Sequence, residues 1–237
     1  SLMRVGDASR AAGDLAGAIG LYRRAAVAKP TAADPHIRLG ETLTDMRAYN
    51  EAITSFQWAL QLDPKSADAM RGWGHALVGL DQLPLARTQY EAALKLNPND
   101  YRTLNGLGVI GDMMGDHVSA QAYYRRGLAI EPNSLALQNN FGLSLALSGN
   151  FDESIRILKV LAVNPGATPR NRLNLALAYG LAGQSDEAAR ASRNDLDEVS
   201  IQRNLEYYAL LRSMPQQQRS SAIRSNPNYF PRGSGVQ

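Results

Sequence analysis

The sequence predicts an all-α fold built from repeated pairs of helices, and three observations indicate it. Similar residues recur every thirty-four positions along the 237-residue chain. Apolar residues follow helical spacing inside each repeat, and proline stands near the end of most repeats. Four positions of the repeat, which we call registers, hold the same type of residue in most copies. Two registers hold small residues: one is Ala18, Ala52, Ala86, Ala120, Ser154 and Ala188, and the other is Gly6, Gly40, Gly74, Gly108, Gly142 and Ala176. A third holds the large apolar residues Tyr22, Phe56, Tyr90, Tyr124 and Leu158, and a fourth holds Pro30, Pro64, Pro98 and Pro132. Because a lone pair of amphipathic helices cannot bury its apolar face, we expect neighbouring copies to stack.

The second repeat, residues 33–66, shows the unit most clearly. Asp34 is expected to cap its first helix, with Pro35 in the first turn, where a missing N–H costs nothing. Apolar residues then recur at helical spacing through two segments, and Pro64 ends the second segment. The pattern predicts two amphipathic helices joined by a tight turn.

The other repeats follow the same plan. They are predicted at about 1–32, 67–100, 101–134, 135–167 and 168–195. Glycine stands where the first helix must end at Gly13, Gly115, Gly149 and Gly183. Glycine there predicts a left-handed turn, and Arg47 and Asp81, which replace it, predict strained or differently built turns. The fourth repeat is rich in glycine, which predicts either a soft link or unusually close packing.

The sixth repeat is incomplete, because Ser192 and Asp195 stand where a large apolar residue and an alanine are expected. We therefore expect its second helix to be short and the array to end there. Residues 196–214 carry an apolar stripe at helical spacing and predict a capping helix. Residues 215–237 turn to Gln, Ser, Arg, Asn, Pro and Gly, which predicts a flexible basic tail. Within that tail, the Tyr229–Phe230 pair between two prolines is an alternative docking segment.

The composition excludes several classes of site. The formal net charge is +3, and the segment from Pro215 onward holds three arginines and no acidic residue, so the rest of the chain is neutral. A neutral body lacks the field that draws proteins to nucleic acid, so no nucleic-acid partner is expected. The absence of cysteine excludes disulfides, thiolate metal ligands and a cysteine nucleophile. No apolar run approaches the length of about 18 residues that spans a bilayer.

No set of residues converges on catalysis. His36, His75 and His117 fall in different repeats and at different helical phases, so they lack the convergence that a metal or catalytic site needs. Acidic pairs such as Asp152–Glu153 are expected at helix starts, where carboxylates complement the helix dipole. The glycine-rich stretch 108–116 follows no predicted strand, which a nucleotide-binding loop would require. The sequence therefore predicts no enzyme, no cofactor and no metal site.

The period, with its small and aromatic registers, resembles the tetratricopeptide repeat (TPR) family. The resemblance implies a right-handed superhelix of about six helix-turn-helix repeats with a C-terminal capping helix. It also implies that the first helices line a concave groove for a protein partner, through their second, fifth, ninth and twelfth repeat positions. Carried over position by position, the predicted partner-binding residues are Glu41, Arg71, His75, Arg102, Asn105, Asp112, Asn139, Leu143 and Leu177. The alternative for the two leucines is burial beneath the capping helix.

A narrower resemblance lies in residues 194–214. The features that carry it are Asp195–Leu196, Gln202, Asn204–Leu205, Tyr207–Tyr208 and Leu211–Arg212. They resemble the ending of TadD proteins, which are TPR lipoproteins of the bacterial Tad/Flp pilus apparatus. This resemblance implies a non-enzymatic, pilotin-like assembly factor that binds a pilus secretin or another Tad component. It also implies a periplasmic, outer-membrane-associated lipoprotein, whose anchor we expect outside this cysteine-free sequence.

Two alternatives stay open at this point. The first is a cytoplasmic TPR adaptor or sensor that binds a peptide. The second is the helical arm of a larger enzyme or regulator. A signal sequence with a lipidated cysteine in the full gene would exclude the first alternative, and the flanking gene sequence would decide the second.

Overall fold

The computed structural model describes residues 1–226, apart from the side chain of Arg224. Within this range the chain forms fourteen α-helices and no strand, which confirms the all-α fold class. The helices are α1 (Leu2–Ala11), α2 (Leu15–Ala28), α3 (Asp34–Asp45), α4 (Tyr49–Leu62), α5 (Ala67–Gly79), α6 (Leu83–Leu96), α7 (Tyr101–Met113), α8 (His117–Ile130), α9 (Leu135–Leu147), α10 (Phe151–Ala162), α11 (Pro169–Leu181), α12 (Ser185–Ser192), α13 (Glu198–Ser213) and α14 (Gln216–Ser225). The Tyr229–Phe230 pair lies outside the described residues.

Consecutive helices form hairpins. We call α1, α3, α5, α7, α9 and α11 the first helices, and α2, α4, α6, α8, α10 and α12 the second helices. The hairpin contacts include α1 with α2, α3 with α4, α5 with α6, α9 with α10 and α11 with α12. Glycines with φ between 80° and 86° end four first helices, at Gly13, Gly115, Gly149 and Gly183. Arg47 and Asp81 adopt the same left-handed conformation, with φ of 61° and 59°, so these two turns carry the predicted strain.

The chain divides into two compact units, and the division falls within α7. Unit 1 is Ser1–Gly106, and unit 2 begins at Leu107. The buried cluster of unit 1 consists of Ala18, Tyr22, Leu39, Leu43, Ala52, Phe56, Ala59, Ala69 and Ala76. The buried cluster of unit 2 consists of Ala146, Leu147, Leu158, Leu161, Leu175, Ala176, Leu177, Ala178, Leu181, Ala188, Tyr208, Leu211 and Ile223. Each unit therefore has an apolar core of its own.

The small and aromatic registers of the sequence meet inside each hairpin. The first-helix glycine faces the large side chain of the second helix, so that an added Cβ would lie 2.3–2.9 Å from that side chain. The pairs are Gly6 with Tyr22, Gly40 with Phe56, Gly74 with Tyr90, Gly108 with Tyr124, and Gly142 with Leu158. Glycine thus permits an approach that any other residue would block. In the fourth repeat, this contact and that of Gly127 with Leu137 show close packing.

The start of α3, the length of α12 and the segment after Pro215 can be compared with what the sequence predicts. Asp34 is not the cap of α3: Ala33 occupies the N-cap position, and Asp34 is the first helical residue, where its carboxylate faces the positive end of the helix dipole. The second helix of the sixth repeat, α12, is short, with eight residues. The segment from Pro215 was expected to be flexible, but it is helical over Gln216–Ser225. Buried contacts of α14 with other helices of unit 2 account for that order.

The fully buried Ala86 tests the packing of the small-residue register. Ala86→Leu is expected to lower the free energy of unfolding by about 1–3 kcal/mol, because the added methylene groups enter a site with no room for them. Urea denaturation of the variant and the parent measures this difference. Leu85→Ala, at the exposed neighbouring position, serves as the control and should change stability by less than about 0.5 kcal/mol. Equal stability of Ala86→Leu and the parent would contradict the assigned register.

Candidate partner-binding faces

First helices of neighbouring repeats contact each other within each unit. In unit 1, α3 packs beside α5, and in unit 2, α9 packs beside α11. The predicted partner-binding residues follow these helices. Glu41, Arg71, His75, Arg102 and Asn105 belong to unit 1, and Asp112, Asn139, Leu143 and Leu177 belong to unit 2. The two sets form a face of charged side chains in unit 1 and a face of buried polar and apolar side chains in unit 2.

The face of unit 1 carries linked ion pairs. Arg10 on α1 contacts Glu41 and Asp45 on α3, with nitrogen-to-oxygen distances of 2.8 Å in both cases. Arg38 also reaches Glu41, at 3.2 Å. These side chains are only partly buried. The network therefore remains open to solvent, and a charged partner can compete for its members.

Arg71 has a structural role that the sequence did not reveal. Its guanidinium lies 2.6 Å from Asp68 and 2.9 Å from Asp100, whose side chain is buried. Burial alone would raise the pKa of the Asp100 carboxyl, but the hydrogen bond from Thr103 and the Arg71 guanidinium together hold that pKa below its usual value. Replacing Arg71 with glutamate would put three carboxylates together, so Arg71 is unsuited to a test of binding alone.

The remaining predicted residues of unit 1 differ in accessibility. Arg102 is exposed, and its guanidinium lies over the Tyr101 ring, 4.9 Å from the ring centroid. His75 is half-buried on α5, and burial lowers the pKa of its imidazole, so the ring is neutral at pH 7. Asn105 is buried. Arg102 is therefore the predicted residue of unit 1 that is best placed to meet a partner.

Asp112 is the hub of a hydrogen-bond network in unit 2. Its Oδ1 accepts from His117 Nδ1 at 2.7 Å and from the Ser144 hydroxyl at 2.6 Å, and its Oδ2 accepts from the Tyr124 hydroxyl at 2.9 Å. Burial raises the pKa of Asp112, and the bonds from His117, Ser144 and Tyr124 lower it only in part. The network joins α7, α8 and α9.

The same network continues to the C-terminal helix. Because a carboxylate only accepts hydrogen bonds, His117 Nδ1 donates to Asp112, and the other ring nitrogen, Nε2, faces Ser220. The Ser220 Oγ lies 3.1 Å from that Nε2. The order Asp112–His117–Ser220 is that of a nucleophilic triad, but the Ser220 residue is only 6% exposed. No substrate can reach the hydroxyl in this arrangement, so we assign the network to packing.

The other predicted residues of unit 2 are largely enclosed. The side-chain oxygen Oδ1 of Asn139 accepts hydrogen bonds from the side-chain amides of Asn171 and Asn174 on α11, at 3.0 Å each. Leu177 is fully buried, and Leu143 is half-buried against the same apolar cluster. The helix α13 packs against α11 and α12, and α14 contacts α9. Leu177, which the repeat pattern assigned to partner binding with burial as the alternative, is thus buried, and α13 and α14 pack against the first helices of this unit.

Sequence reasoning missed Ser220, Ile223, Asn171 and Asn174. The two asparagines fall at first-helix positions that the family pattern does not assign to the groove. The side chains of Ser220 and Ile223 lie outside the repeat register, and the adjacent apolar residues Ala222 and Ile223 were the one available signal in a polar segment.

Within residues 1–226, no group of three or more histidine, aspartate or glutamate side chains is arranged to bind a metal ion. The described helices are also too short or too polar to span a bilayer.

Comparisons with known proteins agree with this architecture. Tetratricopeptide repeat models match residues 33–66 and 71–134. Among solved structures, the crystal structure of MamA protein matches this chain with 30% sequence identity and a TM-score of 0.54. The match covers 68% of this chain and 87% of the MamA chain. No curated protein matches the chain at a significant level.

Two more distant solved structures share the fold. PilF of Pseudomonas aeruginosa is 18% identical, with coverage of 93% of this chain and 95% of that chain and a TM-score of 0.67. YrrB, described as a TPR protein with an unusual peptide-binding site, is 19% identical, with coverage of 81% and 98% and a TM-score of 0.58. From the repeat matches, the MamA relationship and the hairpin packing, we conclude that this chain belongs to the tetratricopeptide repeat family.

Proposed function

We propose that the protein is a non-enzymatic scaffold that binds a segment of a protein partner on its first-helix faces. One observation carries the proposal: α3 and α5 lie side by side in unit 1 and present charged side chains that are at least partly exposed, Arg38 and Glu41 on α3 and Asp68 on α5. Charged pairs at such a surface favour correct alignment and fast association more than they favour stability. The family membership adds support, since TPR arrays commonly act by binding protein.

Arg102 is the side chain of unit 1 to which we assign direct contact with the partner. Its guanidinium is exposed and held over Tyr101, so little side-chain entropy is lost when a partner binds it. A carboxylate or a backbone carbonyl of the partner suits this donor. Glu41, held between Arg10 and Arg38, supplies the opposite charge on the same unit.

The partner that we propose is the secretin, or another component, of a bacterial Tad/Flp pilus. The support is the resemblance of residues 194–214 to the ending of TadD proteins, a segment that forms α13 and the loop before it. In this proposal the protein acts as a pilotin-like assembly factor in the periplasm, tethered to the outer membrane by a lipid anchor. Its task is to hold a segment of the pilus machinery during assembly.

Charge reversal at Arg102 tests this proposal. Arg102→Glu is expected to weaken binding to the Tad secretin at least about tenfold, a change of about 1.4 kcal/mol in binding free energy. Titration of the purified secretin against the immobilised chain measures the effect. Arg24→Glu is the matched control, because Arg24 is exposed on the second helix α2 and the charge change is the same.

The outcomes separate the possible sites. If Arg102→Glu binds the secretin as tightly as the parent, the partner does not contact this face. An equal loss of affinity in Arg24→Glu would show a nonspecific effect of charge. Absence of binding between the parent chain and the secretin would contradict the pilus assignment.

A further inference from the structure

The helix α14 lies on the face of unit 2 that the sequence assigned to a partner. It contacts the first helix α9, and the Gln217 carbonyl lies near Gly115, in the turn between α7 and α8. Its two buried side chains among those described are Ser220, at 6% exposure, and Ile223, at 3%. Ile223 joins the apolar cluster that also contains Ala146 and Leu177. A short helix of this chain thus packs against α9, a first helix to which the repeat pattern assigned partner-binding residues.

The group that Ser220 contacts, the His117 ring, is held in place by side chains of the repeats. Asp112 fixes the His117 ring through Nδ1, and Ser144 and Tyr124 fix Asp112. The ring therefore presents Nε2 toward α14 in a defined direction, and a hydroxyl group satisfies it. Without α14 that buried nitrogen would lose this partner. The site consequently favours a helix with a hydroxyl side chain at this point.

The attachment of α14 is limited. The helix has ten residues, and its N-cap, Pro215, makes no side-chain capping bond. A helix of this length is marginal in water on its own, so its order depends on contacts with the rest of the chain. Those contacts include Ser220 with His117, the packing of Ile223, and the Arg219 side chain, which donates to the carbonyl oxygens of Leu211 and Arg212 at 3.1 and 3.4 Å.

We propose that α14 is a resident ligand of unit 2, and that a partner's short amphipathic helix displaces it. The competing helix carries a hydroxyl side chain followed three residues later by an aliphatic side chain, as Ser220 and Ile223 do in α14. This inference rests on the proposed function, since it names the class of segment that a first-helix face accepts. Binding in unit 2 then requires release of α14, so the chain limits its own affinity for the partner.

A peptide with the sequence of residues 215–226, labelled with a fluorophore, is the probe. It is titrated against the full chain, against Ile223→Asp and against Ser221→Asp. Both variants add one carboxylate to α14, but Ile223 is buried whereas Ser221 is exposed, so Ser221→Asp is the matched control. We expect Ile223→Asp to bind the peptide at least tenfold more tightly than the parent or the control. A peptide that itself carries the Ile223→Asp change should not bind.

Hydrogen exchange shows whether α14 has been released. Amides of residues 216–225 should exchange faster in Ile223→Asp than in Ser221→Asp, while amides of α9 and α11 stay protected. Equal peptide affinity in all three chains would overturn the inference. Absence of binding to Ile223→Asp when its α14 amides exchange fast and α9 stays protected would also overturn it, as would unchanged protection of α14.

This assay needs no outside partner and does not involve Arg102. Failure of the peptide to bind therefore refutes the resident-ligand inference and leaves the proposed binding on unit 1 intact. Failure of Arg102→Glu to weaken secretin binding refutes the proposed contact and leaves the role of α14 intact.

Discussion

Phe56→Ala is expected to lower the free energy of unfolding by about 3–5 kcal/mol, the largest single effect that we predict. The Phe56 ring is 0% exposed and lies between two repeats of unit 1. A Cβ added to Gly40 in its own repeat would come within 2.8 Å of the ring, and one added to Gly72 in the next repeat within 2.3 Å. Truncation leaves a cavity bounded by helix backbone, which can close only if the helices move. Urea denaturation of the two chains measures the loss.

The neighbouring Trp58 provides the control for this prediction. It lies on the same helix, α4, but is 52% exposed and stacks on His36, with ring centroids 6.4 Å apart. Trp58→Ala removes a larger side chain, yet we expect a loss of less than about 1.5 kcal/mol, because no core cavity forms. A larger loss in Trp58→Ala than in Phe56→Ala would contradict the assignment of the large apolar register to the space between repeats.

Asp112→Ala is expected to destabilise unit 2 by about 3 kcal/mol. The substitution leaves the hydrogen-bond donors of His117, Ser144 and Tyr124 without their acceptor inside the protein. The control is Asp152→Ala, an exposed acid in the first turn of α10, whose loss should cost less than about 1 kcal/mol. Thermal or urea unfolding of both variants measures the difference. Equal effects would show that the buried network contributes nothing beyond an ordinary helix-terminal charge.

Asp112→Asn separates the charge of this residue from its hydrogen bonds. Because burial raises the pKa of Asp112, the folded state binds a proton more readily than the unfolded state. The stability that this proton contributes is present below the unfolded pKa and is lost as the pH rises through the folded pKa. The parent should therefore lose stability relative to Asp112→Asn as the pH rises from about 4, the ordinary pKa of an aspartate, through the raised pKa of the folded state. A constant difference across that range would show that the carboxylate is not penalised by burial.

The packing inside each repeat was predictable from the sequence, because each register has one physical requirement. A glycine such as Gly108 is needed where the Tyr124 ring approaches the helix backbone, and the sequence shows both residues at a fixed spacing. The strained turns at Arg47 and Asp81 were predictable for the same reason, since glycine holds that position in other repeats. A packing or turn requirement that recurs in each repeat is visible in the sequence as a residue type that recurs every thirty-four positions.

The order of the C-terminal segment was not predictable, because its cause lies elsewhere in the chain. The residues of α14 are mostly Gln, Ser and Arg and carry no strong amphipathic pattern. Its helix depends on Ser220 and Ile223 meeting positions that are distant in sequence, including His117. Local composition predicts a flexible tail there, and tertiary contact overrides it.

The predicted binding residues were only partly informative for a related reason. A repeat register identifies which side of a first helix a residue occupies, but not which later element covers it. Arg102 is exposed, whereas Leu177 is buried in the cluster that includes side chains of α13 and α14. The pairing of Arg71 with Asp100 was hidden because the two residues belong to neighbouring helical segments and pair only after the repeats stack.

The most direct test of binding on the first-helix face uses the natural absence of cysteine. Asp68→Cys places a single thiol at an exposed position of α5, and Thr88→Cys places one at an exposed position of α6 in the same hairpin. The rate of maleimide labelling is measured for each variant with and without the Tad secretin. We expect the secretin to slow labelling at least about fivefold at residue 68, a change in accessibility of about 1 kcal/mol, and to leave labelling at residue 88 unchanged. Protection of residue 88 alone, or of neither residue, would contradict it.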